Sequence, residues 1–194
     1  MFFVILLIFI FFVVSFLLKG FILVNQTEAI IVEYLGKYKM TLTAGLHFIL
    51  PGLDKPKAIK QQVREKKGNN KVVTKVVQMA KIPLSEQVYE FQLNNEQTND
   101  CTNVDLSLLL YFQILDPRRV AYSVNDFAYA LEELITTKAK QKIIQYNYND
   151  LFNYREKIDE EIRNEIKREE EYWGLKIQRV MIDDIKLSNR TNWQ

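Results

Sequence analysis

The chain of 194 residues has one cysteine, Cys101, and one histidine, His47. That rules out an intramolecular disulfide. It also rules out a structural zinc site built by this chain alone, which normally needs four Cys or His ligands. A single cysteine does not reveal the redox compartment. No sign of charge dominates either: 26 Lys and Arg stand against 24 Asp and Glu, a formal net charge of +2. With no overall basic excess there is no global signature of nucleic-acid binding. The amino terminus, finally, lacks the three marks of a secretory signal, which are a basic n-region, an apolar core of about 7–15 residues and a small-x-small cleavage site.

What stands at the amino terminus instead is grease. From Phe2 to Leu18 every residue except Ser15 is Phe, Leu, Ile or Val. Apolar residues on every side of a helix belong in lipid rather than on one buried face. At roughly −0.3 to −0.6 kcal/mol each on the insertion scale, these residues supply about −5 to −10 kcal/mol, which outweighs one serine. A helix over Phe2 to Leu18 is about 25 Å long, and carrying it through Phe21 to Val24 gives about 34 Å, enough for a ~30 Å hydrocarbon core. The expectation is a retained transmembrane anchor over residues 1–24, with the Lys19 ammonium snorkelling to one interface. A cleaved signal and a shallow or hairpin insertion are the alternatives. Lys19, Lys37 and Lys39 follow the span and only the amino terminus precedes it, which leans towards a cytoplasmic main domain.

The remaining residues, about 170, suit one domain with a real core. Ile30, Val32 and Tyr34 alternate with Ile31, Glu33 and Leu35. Then come Gly36, a run from Lys37 to Leu42, Gly45, and a third run from Leu46 to Leu50 closed by Pro51-Gly52. Short apolar runs cut by glycines at this spacing read as hairpin-connected strands, with Gly36 and Gly45 taking φ > 0 in turns. Lys55 to Lys81 holds nine basic residues against a single acid, Glu65, and its valines at 72, 73, 76 and 77 point to a basic hairpin or a long loop. Attraction of Lys66, Lys67, Lys71 and Lys75 to anionic lipid head groups is one reading, and a solvated extension is the other.

The sheet resumes at Gln87 to Leu93, with Tyr89, Phe91 and Leu93 on one face, and a polar loop from Asn94 to Asn103 follows. Val104, Leu106, Leu108, Leu110, Phe112 and Ile114 then alternate with Asp105, Ser107 and Gln113, which marks the central strand. Asp116-Pro117 stops it and starts a helix. A second helix begins near Asn125-Asp126 and buries Phe127, Leu131, Leu134 and Ile135, with Lys138, Lys140 and Lys142 at its C-terminal end. From Tyr154 to Trp173 the only aliphatic residues are Ile158, Ile162 and Ile166. A helix with so narrow a stripe packs by one edge, and Asp159 with Arg163 and Glu165 with Arg168 are expected to pair along it. It ends at Gly174, and a strand runs on to Ile185. The fold class is α+β, a twisted, mainly antiparallel sheet with helices packed over it.

Candidate chemistry is thin. His47 lies on a strand with no acid or nucleophile motif nearby and reads as packing. Gly36-Lys37 lacks the upstream glycine and the following Ser/Thr of a phosphate loop. Cys101 has no basic neighbour to activate its thiol. Glu169, Glu170 and Glu171 point about 100° apart on a helix and cannot converge on one ion. No catalytic, cofactor-binding or metal-binding residue emerges.

Several segments carry a resemblance. Gly36-Lys37-Tyr38, Ala44-Gly45, and Gly45-Leu46-His47-Phe48 running to Pro51 stand directly behind the apolar segment. Tyr122 to Leu131 and Asn149 to Arg155 follow, and then Trp173-Gly174-Leu175 with Ile177, Arg179, Val180, Ile182, Asp184 and Ile185. Together these resemble the SPFH (band 7, stomatin/prohibitin) family, closest to the stomatin/slipin branch, over Glu28 to Ile185. The resemblance is interrupted by the basic insertion at residues 55–82 and by the lengthened Asn99–Asn103 turn. It implies a domain over residues 25–187 and a tail at 188–194, without the coiled coil that continues relatives.

It also implies a non-enzymatic scaffold, a homo-oligomer that encloses a bilayer patch and regulates membrane proteases or channels. The membrane would be a bacterial cell membrane or an organelle inner membrane. Two alternatives are the dedicated regulatory subunit of one membrane protease and a membrane-tethered hydrolase using His47 or Asp183-Asp184.

Overall fold

A computed structural model describes residues 2–67, 71–124 and 126–188, apart from the side chains at 13, 14, 17 and 61–76. Asn125 and nearly all of the 188–194 tail lie outside the described residues. The chain divides into two compact units, residues 1–59 with 78–84 and residues 60–77 with 85–194.

In the first unit, helix α1 covers Phe2–Leu18 and every side chain described on it is exposed. The helix stops there. Residues Phe21–Val24, expected to prolong it, form strand β1, paired antiparallel with β4, Gly45–Phe48. Gly20 is the reason. Its carbonyl accepts the Ile49 N–H at 2.9 Å, and a Cβ at residue 20 would lie 2.3 Å from the Ile49 carbonyl oxygen. The chain is thus pinned against β4 one residue before Phe21, and aromatic and β-branched residues there join a ladder readily. At 1.5 Å per residue α1 is about 25 Å long. No helix among the described residues is long and apolar enough to cross a membrane.

Strand β2, Glu28–Tyr34, is the centre of this unit. It pairs with β3, Lys37–Leu42, along one edge, and with β5, Asp54–Pro56, and β8, Lys81–Pro83, along the other, all antiparallel. Ala29 to Val32 are buried on both faces, and Val24, Ile30, Val32, Leu42 and Ile49 form one apolar cluster. The β2–β3 turn puts Leu35 at φ 49° and Gly36 at φ 82°, the two positive values of a type I′ hairpin turn. The other expected hairpin does not form, because β4 leaves β3 to pair with β1. Behind it, the buried Asp54 carboxylate accepts from Lys39 Nζ at 2.7 Å and from the Leu50 N–H at 2.9 Å, closing the Pro51-Gly52 turn. The ammonium of Lys39 and then that N–H hold Asp54 below the usual carboxylate range.

Strands β6, Ile59–Lys67, and β7, Lys71–Met79, pair as a two-stranded sheet. The basic segment is therefore a hairpin rather than a loop.

The second unit is built on an antiparallel sheet ordered β11-β10-β9. Its strands are β9, Gln87–Gln97, β10, Asn103–Ile114, and β11, Leu175–Leu187. The alternating positions Val104 to Ile114 of β10 are all buried, as the period of two requires. Strand β9 runs four residues past Leu93 into what reads as a loop. Its ladder with β10 shifts register between Val104 and Leu106, Asn95 takes φ 59°, and the Asn95 N–H donates to Asp105 Oδ1 at 2.7 Å. Asn94-Asn95 is a bulge, and pairing resumes beyond it.

Helix α2, Pro117–Ser123, starts with Asp116 accepting from the N–H groups of Arg118 and Arg119. Helix α3, Phe127–Ile143, starts with Asp126 accepting from the Tyr129 N–H. The short α4, Tyr148–Asn153, leads into α5, Arg155–Trp173. On α3, Phe127, Leu131 and Ile135 are buried and Leu134 is half-buried. On α5 the stripe of Ile158, Ile162 and Ile166 is completely buried. Helix α5 packs on β11, and α3 packs on α5 and β9. Gly174, at φ 70°, ends α5 and accepts both the Leu115 and the Asp116 N–H at 2.9 Å.

Candidate functional site

His47 on β4 holds its Nε2 2.7 Å from the Thr43 carbonyl oxygen, so its ring is tied to its own turn. Gly36-Lys37 lies in a hairpin, without the helix N-terminus that would hold a phosphate. Cys101 is exposed in the β9–β10 turn at φ 59°. That turn is closed by Thr98, whose hydroxyl donates to the Thr102 carbonyl at 2.9 Å, and by Asp100, which accepts the Tyr148 N–H. Glu170 Oε1 turns inward to accept the Ile177 N–H at 2.8 Å, away from its exposed neighbour Glu171. Asp184 is paired with Lys186, which lowers its pKa below the usual carboxylate value. Among the described residues no group of three or more His, Cys, Asp or Glu is placed to hold a metal ion.

The functional groups that do converge join α5 to β11. Strand β11 buries Leu175, Ile177, Val180, Ile182 and Ile185. That alternation of two-residue and three-residue steps comes from register shifts opposite Tyr111/Phe112 and Ser107/Leu108, which leave Gln178 and Asp183 as extra residues. Each bulge is met by side chains of the helix. Arg155 donates to the Asp183 carbonyl at 2.9 Å, and Asp159 Oδ1 accepts the Ile182 N–H at 2.9 Å. At the second bulge Arg163 donates to the Ile177 carbonyl at 3.4 Å, beside the Glu170 contact. Burial pushes Asp159 up to about 6, against the opposing pull of the Ile182 N–H and Arg155.

The pairs expected along α5 are thereby displaced: Asp159 and Arg163 serve the strand, and Glu165 binds Lys142 at 2.8 Å and Lys138 at 3.6 Å. Glu161 lies 3.5 Å from Lys142 and accepts the Tyr146 hydroxyl. An edge strand with unmet backbone groups gains more from these side chains than solvent would lose. Sequence reasoning missed this clamp. Its readable trace is the 2-3-2-3 spacing of apolar residues from Leu175 to Ile185.

The opposite face of the sheet is open, with a depression of about 280 Å³ lined by Glu90, Asp105, Ser107, Asp183, Asp184 and Lys186. Arg179 stacks over the Tyr111 ring at 4.0 Å. In that depression the Ser107 hydroxyl donates to Glu90 Oε1 at 3.4 Å. Among the described residues, α1 carries a continuous series of exposed large apolar side chains from Phe2 to Phe12.

Comparison with known proteins bears on which surfaces matter. Residues 22–192 match the family described as SPFH domain / Band 7. The chain is 29 % identical over 167 residues to a stomatin-like protein of Caenorhabditis elegans, covering 86 % of this chain and 45 % of that one. It is 26 % identical over 167 residues to the human protein named stomatin-like protein 2, mitochondrial, with coverage of 86 % and 41 %. An uncharacterized protein of Methanocaldococcus jannaschii is 25 % identical over 169 residues, 87 % of this chain and 73 % of the relative. The chain thus spans less than half the length of the two stomatin-like relatives.

Proposed function

This chain belongs to the SPFH domain / Band 7 family, and from that premise we propose that it is a membrane-anchored, non-enzymatic subunit of an oligomeric scaffold. Copies assemble on the bilayer around a patch of membrane and regulate a membrane protease or channel held there. One observation carries the reading: every large apolar side chain described on α1, Phe2–Leu18, is exposed. Such a surface is stable in acyl chains and unstable in water.

The homo-oligomer and its client are supported by the family likeness and not by any one contact of this chain. The anchor at 25 Å is a few ångströms short of a hydrocarbon core, a mismatch that local thinning or adjoining apolar surface accommodates.

The test is the full chain expressed in membranes, washed with carbonate, and extracted in mild detergent. Retention in the membrane and a native mass many times 23.0 kDa are expected. A 23.0 kDa species released into the aqueous fraction would overturn the proposal.

A further inference from the structure

The basic insertion changes how the two units are joined. Residues 1–59 and 78–84 belong to the first unit, and residues 60–77 and 85–194 to the second. The chain therefore passes from one to the other between Ile59 and Lys60, returns between Val77 and Gln78, and crosses again between Leu84 and Ser85. Without the β6–β7 excursion only the last passage would remain.

The feet of the hairpin and its first turn of side chains answer to different partners. The Lys57 N–H donates to the Ile31 carbonyl at 2.8 Å, and β8 pairs Lys81 with Ile30, so both feet are laddered onto the same edge of β2. Their ammonium groups follow the backbone. Lys57 Nζ lies 3.0 Å from Glu33 and Lys81 Nζ 3.1 Å from Glu28, and both acids stand on β2 in the first unit. Three residues beyond Lys57 the allegiance changes: Lys60 Nζ donates to Asp126 Oδ2 at 2.5 Å, and Asp126 belongs to the second unit.

Asp126 is a firm point to hold. Its other oxygen accepts the Tyr129 N–H at 3.3 Å as the cap of α3. The next residue, Phe127, is buried, with its ring 6.1 Å from that of Phe112 and 6.2 Å from that of Trp173. The Lys60 hydrogen bond holds Asp126 below the usual carboxylate range against the opposing effect of burial. A two-stranded hairpin is marginally stable in water by itself, so strands of nine residues gain from a fixed point outside their own ladder.

We infer that the β6–β7 hairpin is a strap, fastened to the second unit by the Lys60–Asp126 pair, and that it restrains the motion of the two units against each other. With the pair broken, the hairpin comes away from the second unit, which leaves the units joined through Leu84 and Ser85 alone. The strap would act in the same way whether or not the chain assembles on a membrane.

The experiment uses the full chain in mild detergent, diluted with unlabelled chain so that only labels within one molecule are read. Nitroxides are placed at the native Cys101, exposed in the second unit, and at Lys37→Cys, exposed in the first. Double electron–electron resonance then gives the spread of distances between them. Lys60→Gln removes the charge from one side of the pair. Asp126→Asn removes it from the other and leaves a residue that caps helices as well as aspartate does. Both single variants should broaden the distribution severalfold, the double variant no further, since the two residues act as one fastening. Lys60→Arg, which keeps the charge, should retain the native width. A native width in both single variants would overturn the inference. Broadening in Asp126→Asn without broadening in Lys60→Gln would give the effect to the α3 cap and overturn it too.

Discussion

The carboxylate of Asp159 on α5 receives the backbone N–H of Ile182 on β11 across 2.9 Å, just where a bulge leaves that strand with an extra residue. A helix side chain thus substitutes for a missing neighbouring strand. The contact is half-withdrawn from water, and its cost appears as titration.

Asp159 keeps its proton in the folded chain up to a pH of about 6, against an ordinary value of 3.8. The folded state therefore binds more protons than the unfolded one between those values, and this residue's contribution to stability falls as pH rises through that window. Asp159→Asn can still accept from Ile182 but cannot ionise. At neutral pH the variant should be more stable than the native chain by on the order of 1–2 kcal/mol, and the gap should close near pH 4. Denaturant titrations in detergent across that range check it. A gap that does not change with pH would remove Asp159 from the account.

Asp54 titrates in the opposite sense. Held below its ordinary value first by Lys39 and then by the Leu50 N–H, it contributes stability that is complete above that value and is lost as pH falls through the lowered one. Asp54→Asn should destabilise the first unit at neutral pH, with the difference shrinking in acid. Amide hydrogen exchange at Leu50 and along β2 reads this directly, and equal protection in both proteins at neutral pH would contradict it.

Two glycines at positive φ should respond differently to alanine. At Gly174 a Cβ meets Asp116 Cβ at 2.8 Å and the Asp116 carbonyl at 2.9 Å, so Gly174→Ala adds a clash to the left-handed strain. The expected cost is roughly 2–4 kcal/mol. At Gly36 nothing lies within 4 Å, and Gly36→Ala should cost only the conformational part, about 1 kcal/mol. Thermal unfolding of the two variants side by side makes the comparison, and equal losses would contradict it.

The basic hairpin is a question of charge alone. Replacing Lys66, Lys67, Lys71 and Lys75 with Gln removes attractions of about 1 kcal/mol each near an anionic surface. Capture of the detergent-solubilised chain by anionic vesicles should slow severalfold at low salt, and the effect should vanish near ~0.5 M salt, where screening lengths fall to a few ångströms. Unchanged capture at low salt would make the hairpin a solvated extension.

Much of the fold was legible because local chemistry and tertiary context agree. The alternation of β10, the caps at Asp116 and Asp126, and the break at Gly174 each rest on a residue type whose backbone preference the fold uses unchanged. Phe21 to Val24 was misread because four apolar residues after a long apolar helix carry no sign of a change in period. What turns them is Gly20 pressed against the distant Ile49. Asn94-Asn95 reads as a loop and is a bulge, since both use the same residue types. The ion pairs along α5 were misplaced for a different reason: helix spacing cannot anticipate a strand edge competing for Asp159 and Arg163. Nothing local marks β4 as the partner of β1 either, so that pairing became visible only with the register.

The turn between β2 and β3 has one further implication. Leu35 stands at φ 49° with its side chain 70 % in solvent, a conformation that asparagine adopts at far less cost. The hairpin is therefore held shut by its strands against its own tip. A single codon change, Leu35→Asn, offers a sturdier chain for biochemical work without touching the anchor or the clamp.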